Sequence, residues 1–142
     1  MTEEEFDAFL TDIPECFISK DFQPWADRVL LPFSVVTKDG PIVSSTLADL
    51  KADFDLYLTA CHTMKLDLVH RTPLSLEHCE DGTVMCTYRT ELLSHGQRAT
   101  EPFTSTALVT NVDGTWRMTA ILNARGHSAW TGHVPHKEGP TA

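Results

Sequence analysis

Apolar and polar positions repeat with one period up to about Leu66 and with another after it. Before that point apolar residues return every three or four positions. Phe6, Phe9, Leu10, Ile13, Phe17 and Ile18 form one such stripe and predict an amphipathic helix. Thr2 and Glu5 stand ahead of it at capping-box spacing, and Glu3 and Glu4 lie where the helix dipole favours acid. Pro14 is expected to kink this helix or to start a second turn of it. Asp21 predicts a short helix reaching about Leu30, with Trp25 and Val29 on one face. Leu31 to Val36 reads as a strand stopped by Lys38-Asp39-Gly40-Pro41. Thr46 with Asp49 caps a third helix, whose stripe is Leu47, Leu50, Phe54, Tyr57, Leu58, Cys61 and Met64.

Beyond Leu66 the period is two. Leu66 to His78 places Leu66, Leu68, His70, Thr72, Leu74, Leu76 and His78 on the more apolar face, taken as inward. Its other face holds Asp67, Val69, Arg71, Pro73, Ser75 and Glu77. The next strand turns Val84, Cys86, Tyr88, Thr90 and Leu92 one way. The third puts Glu101, Phe103, Ser105, Ala107 and Val109 together, with Pro102 marking a bulge or an edge. Asp113-Gly114 is a hairpin turn, and the last strand groups Trp116, Met118, Ala120 and Leu122. Helices first and antiparallel strands after predict an α+β fold with helices on one face of a curved sheet. One domain is expected over residues 1–125. Residues 126–142, rich in Gly, His and Pro, read as a surface tail.

Composition narrows the function classes. The 142 residues are 42% hydrophobic and 22% charged, enough for one domain with a sizeable core. The net charge of −9 argues against nucleic acid and against an anionic membrane surface. Most of it lies in residues 1–55, at a net −8, while residues 56–142 are close to neutral at −1. No apolar run is long enough to span a membrane, and the acidic start Met-Thr-Glu-Glu-Glu is unlike a signal peptide, so the cytoplasm is expected. Cys16, Cys61, Cys79 and Cys86 show no C-x-x-C spacing and read as reduced thiols.

Three stretches carry a family resemblance. They are Phe22-x-x-Trp25-x-x-x-Val29-x-Leu31-Pro32-Phe33, the helix ending in Tyr57-Leu58, and Asp113-Gly114-Thr115-Trp116-Arg117-Met118. In this element order, over roughly residues 3–125, the chain resembles the nuclear-transport-factor-2-like superfamily, also called SnoaL-like or cystatin-like. Small bacterial members whose first strand begins with Leu-Pro-Phe are the most similar. The resemblance implies a cone-shaped fold, with N-terminal helices on a curved, mixed but mainly antiparallel sheet. It also implies a homodimer through the outer sheet face, here carrying Thr87, Arg89, Glu91, Thr104, Thr106, Arg117, Thr119, Ile121 and Asn123. Ketosteroid isomerase, a member of this fold, is similar in topology only. Its general-base Asp has no counterpart on Leu31 to Val36, Phe17 supplies no hydroxyl, and the last strand offers Trp116 and Met118 inward in place of an acid.

Inward polar groups are where chemistry would sit. His70, Glu101 and Tyr88 are the candidate catalytic residues, because a His–carboxylate pair in a dry pocket performs acid–base work near neutral pH. Phe17, Trp25, Tyr57, Phe103, Trp116 and Met118 are the candidate ligand-binding residues, suited to a flat apolar molecule. His133 and His136 are spaced for one helical turn, but Pro135 disfavours a helix and no acid or Cys accompanies them, so no metal or cofactor is expected. Cys61-His62 is not a nucleophilic pair, since adjacent helical residues point apart. The function expected is binding of a small hydrophobic molecule in the cone, with lyase, isomerase or cyclase chemistry as its enzymatic form. The alternative is a non-catalytic dimerisation or accessory module with a filled cone.

Overall fold

Local signals set the helices. In the computed structural model, which describes residues 1–124, α1 (Glu3–Ser19) opens with a complete capping box. The Glu5 N–H donates to Thr2 Oγ1 at 3.1 Å and the Thr2 N–H donates to Glu5 Oε1 at 2.9 Å. The helix runs on through Pro14 as one element. It ends at Lys20, in the left-handed region at φ 60°. The second helix, α2 (Phe22–Ala26), is shorter than expected: Asp21 makes no side-chain cap bond, and Val29 already belongs to β1 (Val29–Thr37). A second capping box, Thr46 with Asp49, starts α3 (Leu47–Thr63). Leu47, counted in its stripe, is 56% exposed.

Lys38-Asp39-Gly40-Pro41 stops β1 after Thr37, as expected. It turns the chain into β2 (Gly40–Ser44), a strand the sequence reading lacked. Thr37 Oγ1 accepts from the Asp39 N–H and donates to the Gly40 carbonyl, both at 3.1 Å. Gly40 takes φ +109°, which a side chain would oppose. The remaining strands are β3 (Leu68–His78), β4 (Val84–Ser94), β5 (Gln97–Arg98), β6 (Phe103–Val112) and β7 (Thr115–Leu122). The sheet order is β2-β1-β7-β6-β4-β3, with β5 beside β4. All pairs are antiparallel except β1 with β7, which is parallel. The three helices pack on this mixed sheet, giving the expected α+β cone.

Two register shifts decide which side chains face inward. Between Pro73 and Ser75 the pairing of β3 with β4 slips, and Leu74 is left over. Between Leu108 and Val109 the pairing of β6 with β7 slips, and Thr119 is left over. Strict alternation holds on β4 and β6, whose buried residues are Val84, Cys86, Tyr88, Thr90 and Leu92, then Ser105, Ala107 and Val109. Of these, Val84, Cys86, Tyr88, Ala107 and Val109 meet Phe6, Phe9, Leu10 and Ile13 of α1, Phe33 of β1 and Phe54 of α3 in one core. The tail expected over 126–142, with His127, His133 and His136, lies outside the described residues.

Candidate functional site: an apolar pocket beneath α3

Among the described residues the core is not filled. A pocket of about 120 Å³ is lined by α1, α2 and α3 on one side and by the inner sheet face on the other. An engineered apolar cavity of ~150 Å³ holds benzene, so this pocket matches a body of about one ring. Its aromatic wall is continuous. Phe17 lies with ring centroids 5.2 Å from Trp25, 4.9 Å from Phe54 and 6.0 Å from Tyr57. Trp25 meets Phe33 edge-on at 5.8 Å. The helical periods of α1 and α3 place Phe17, Phe54 and Tyr57 there, while the pleat of β4 and β6 adds Tyr88 and Phe103.

A few polar groups break this surface. Ser44 Oγ donates to Asp53 Oδ2 at 3.0 Å, joining β2 to α3. Ser105 Oγ is committed to the Asn123 carbonyl at 3.1 Å. The Arg71 guanidinium lies 4.9 Å from the centre of the Tyr88 ring. Burial pushes the Tyr88 phenol above its ordinary pKa, against the opposing pull of the Arg71 charge. Thr90, 1% exposed, has its hydroxyl buried without a partner, as is Nε of Arg71. Cys61 also lines the pocket, and burial raises its thiol, which keeps it protonated and unreactive. Among the described residues no three His, Cys, Asp or Glu side chains gather as metal ligands.

Of the candidate catalytic residues, Tyr88 alone reaches the pocket wall. His70 does not face the cone. It is on the outer face, paired in register with Glu91, with Thr72 Oγ1 3.5 Å from its Nε2. The leucine-rich face of β3 is not the inner one: Leu68 and Leu74 are 48% and 54% exposed, and Val69 and Arg71 line the pocket. Glu101 is exposed before β6 begins and also lies away from the pocket. Phe17, Trp25, Tyr57 and Phe103 line it. Trp116 and Met118 do not. The Trp116 Nε1–H donates to Glu5 Oε2 at 3.0 Å, clamping β7 to α1, and Met118 is 1% exposed in the packed core. The slip at Thr119 brings Ile121, expected outside, into the pocket and puts Ala120 and Leu122 on the other face.

Ser44, Asp53, Arg71, Thr90 and Ser105 were not among the candidates. Thr90 and Ser105 stand on faces the alternation identified correctly. Nothing in the sequence marked Arg71 or Ser44 as inward.

Three helices and a mixed six-strand path around an internal apolar pocket define the nuclear-transport-factor-2-like cone, and this chain has that fold. Solved structures of the same shape include a nuclear-transport-factor-2-like protein of unknown function from Shewanella oneidensis, with TM-score 0.66 and 13% identity over 86% of this chain and 98% of that one. Aln2 from a Streptomyces species superposes with TM-score 0.62 and 15% identity, over 86% and 91% of the two chains. A putative calcium/calmodulin-dependent protein kinase II association domain from Xanthomonas campestris does so with TM-score 0.58 and 12% identity, over 86% of each. No family model matches the chain, and no curated protein matches it by sequence.

Proposed function

We propose that the protein binds a small hydrophobic molecule in the pocket beneath α3. The observation that carries this reading is an unfilled, largely apolar cavity walled by Phe17, Trp25, Phe33, Phe54, Tyr57, Tyr88 and Phe103. A native core closes such space, because lost packing costs about 24 cal/mol per Å³ of void. The filled-cone accessory module has no comparable support. Native mass spectrometry of protein purified from its host, with toluene titration monitored through tryptophan fluorescence, tests the reading. Retained small-molecule mass or saturable quenching is expected. A protein that carries nothing and shows no response to toluene refutes it.

One observation favours an enzymatic form. Asp53 places a carboxyl group in the pocket wall, oriented by Ser44. A carboxylate held against an apolar substrate is the element a lyase or isomerase uses to take a proton. Asp53, rather than His70 or Glu101, is the residue to change in any activity assay.

The outer sheet face is proposed to join two copies. It carries Thr87 and Thr106, 2.9 Å apart, together with His70 and the exposed Arg89, a mixed and nearly neutral surface. The association domain among the structural neighbours is consistent with this use of the fold. Light scattering at twice the 15.8 kDa chain mass is expected, and a monomer removes the proposal. No helix among the described residues is long and apolar enough to cross a membrane. The free thiols suit a reducing compartment, and we place the protein in the cytoplasm.

A further inference from the structure

Two groups at the pocket wall, Arg71 Nε and the Thr90 hydroxyl, have no hydrogen-bond partner among the described residues. Arg71 and Thr90 are direct register partners on β3 and β4, so they stand side by side on the inner face. Their Cβ atoms are then about 4.5–5.5 Å apart. Both line the pocket. Arg71 Nε is buried and unpartnered, and among the described residues no carboxylate lies within ion-pair distance of its guanidinium. The Thr90 hydroxyl beside it is buried and equally unpartnered.

Arg71 is half-buried with its Nε enclosed, and a polar group enclosed without a partner is costly, as is the buried Thr90 hydroxyl. Two such groups side by side fit an anion that the protein does not itself provide. Arg offers donors only, and its flat fork matches a carboxylate through two parallel bonds. Its guanidinium carbon lies 4.9 Å from the centre of the Tyr88 ring, a contact that helps to hold it at the wall. Asp53 lies beside β2, at the far edge of the sheet from β3.

We propose that the ligand is a small apolar carboxylate: a hydrophobic body of about one ring among the aromatics, with its carboxylate on Arg71 and Thr90. This rests on the reading that the pocket binds a small hydrophobic molecule and adds the charged group at one end of it. A phosphate fits the site less well. It would bring a second charge into a pocket where, among the described residues, Arg71 is the single guanidinium and the wall is largely apolar.

The test titrates the protein with benzoate, benzamide and toluene, read by calorimetry and tryptophan fluorescence. Benzoate is expected to bind at least about tenfold more tightly than benzamide, the range of a charge-assisted pair over a neutral one. Arg71→Met should bring that ratio to about one. Arg71→Lys, which keeps the charge but loses the fork, should restore part of it, and Thr90→Val should reduce it several-fold. Circular dichroism checks the fold of each variant, and if Arg71→Met does not fold, Arg71→Lys and Thr90→Val carry the test. Equal binding of benzoate and benzamide overturns the proposal and leaves the hydrophobic-pocket reading standing, as does a benzoate preference that survives every variant. If none of the three molecules binds, both readings fall.

Discussion

Ser44 and Asp53 meet across the pocket rim, hydroxyl to carboxylate at 3.0 Å, and so fasten the edge strand β2 to α3. Ser44 is 3% exposed, so its alternative to this bond is not water. Ser44→Ala should lower stability by about 1 kcal/mol, the net worth of a hydrogen bond to a charged group less its desolvation. Urea unfolding measures it. An unchanged midpoint would mean that Asp53 finds an equivalent partner without Ser44.

Thr90→Val should act in the opposite direction. Its hydroxyl is buried and unpartnered, and valine keeps the branched shape. Removing the group relieves a desolvation penalty, so the ligand-free variant should gain about 1 kcal/mol. The same substitution weakens carboxylate binding in the proposal above. A protein that becomes both more stable and a poorer binder shows a polar group kept for a ligand; loss of stability shows a structural one.

Phe54→Ala should be severe. Phe54 is 2% exposed and meets Phe17, Phe22 and Trp25, so truncation extends the existing pocket into the core. A loss of about 3–5 kcal/mol is expected, with toluene or a larger ring restoring part of it. Thermal unfolding with and without toluene reads both. A loss below about 1 kcal/mol would show that the surrounding aromatics collapse into the gap.

Alkaline pH should destabilise the fold from about pH 9 upward. Burial pushes the Cys86 thiol from 9.0 up to about 11, and raises Cys16, Cys61 and Tyr88 in the same direction. Below pH 9 the Cys86 thiol is protonated in both states and contributes no slope. Between pH 9 and about 11 the unfolded chain releases this proton while the folded one holds it, so unfolding becomes more favourable. Urea midpoints between about pH 8 and pH 11 should fall, and Cys86→Ala should flatten part of the decline. Midpoints that stay level would show that Cys86 titrates in the folded protein as it does in the unfolded chain.

How much of this was legible in the sequence follows from where the chain obeys a fixed period. The capping boxes at Thr2 and Thr46 placed two helices, and their stripes placed Phe17, Phe54 and Tyr57. Tyr88, Thr90, Phe103 and Ser105 followed from unbroken alternation on β4 and β6. His70 and Arg71 were exchanged because β3 is an edge strand with a slip at Leu74, and counting its leucines chose the wrong face. Ile121 changed sides for the same reason at Thr119. Trp116 is inward but serves a clamp to Glu5, a partner set by tertiary approach that no local pattern shows.

The parallel pairing of β1 with β7 bears on how the chain is made. During synthesis β1 can fold at once against β2, its neighbour in the chain, but its other edge must wait for Met118, Ala120 and Ile121. Until β7 leaves the ribosome that edge is bare, with unpaired amides and carbonyls beside an apolar face. Such pairing between distant segments is slow and exposed to aggregation. The nascent protein is therefore most vulnerable while its middle strands are being translated, and release of the last strand closes the sheet.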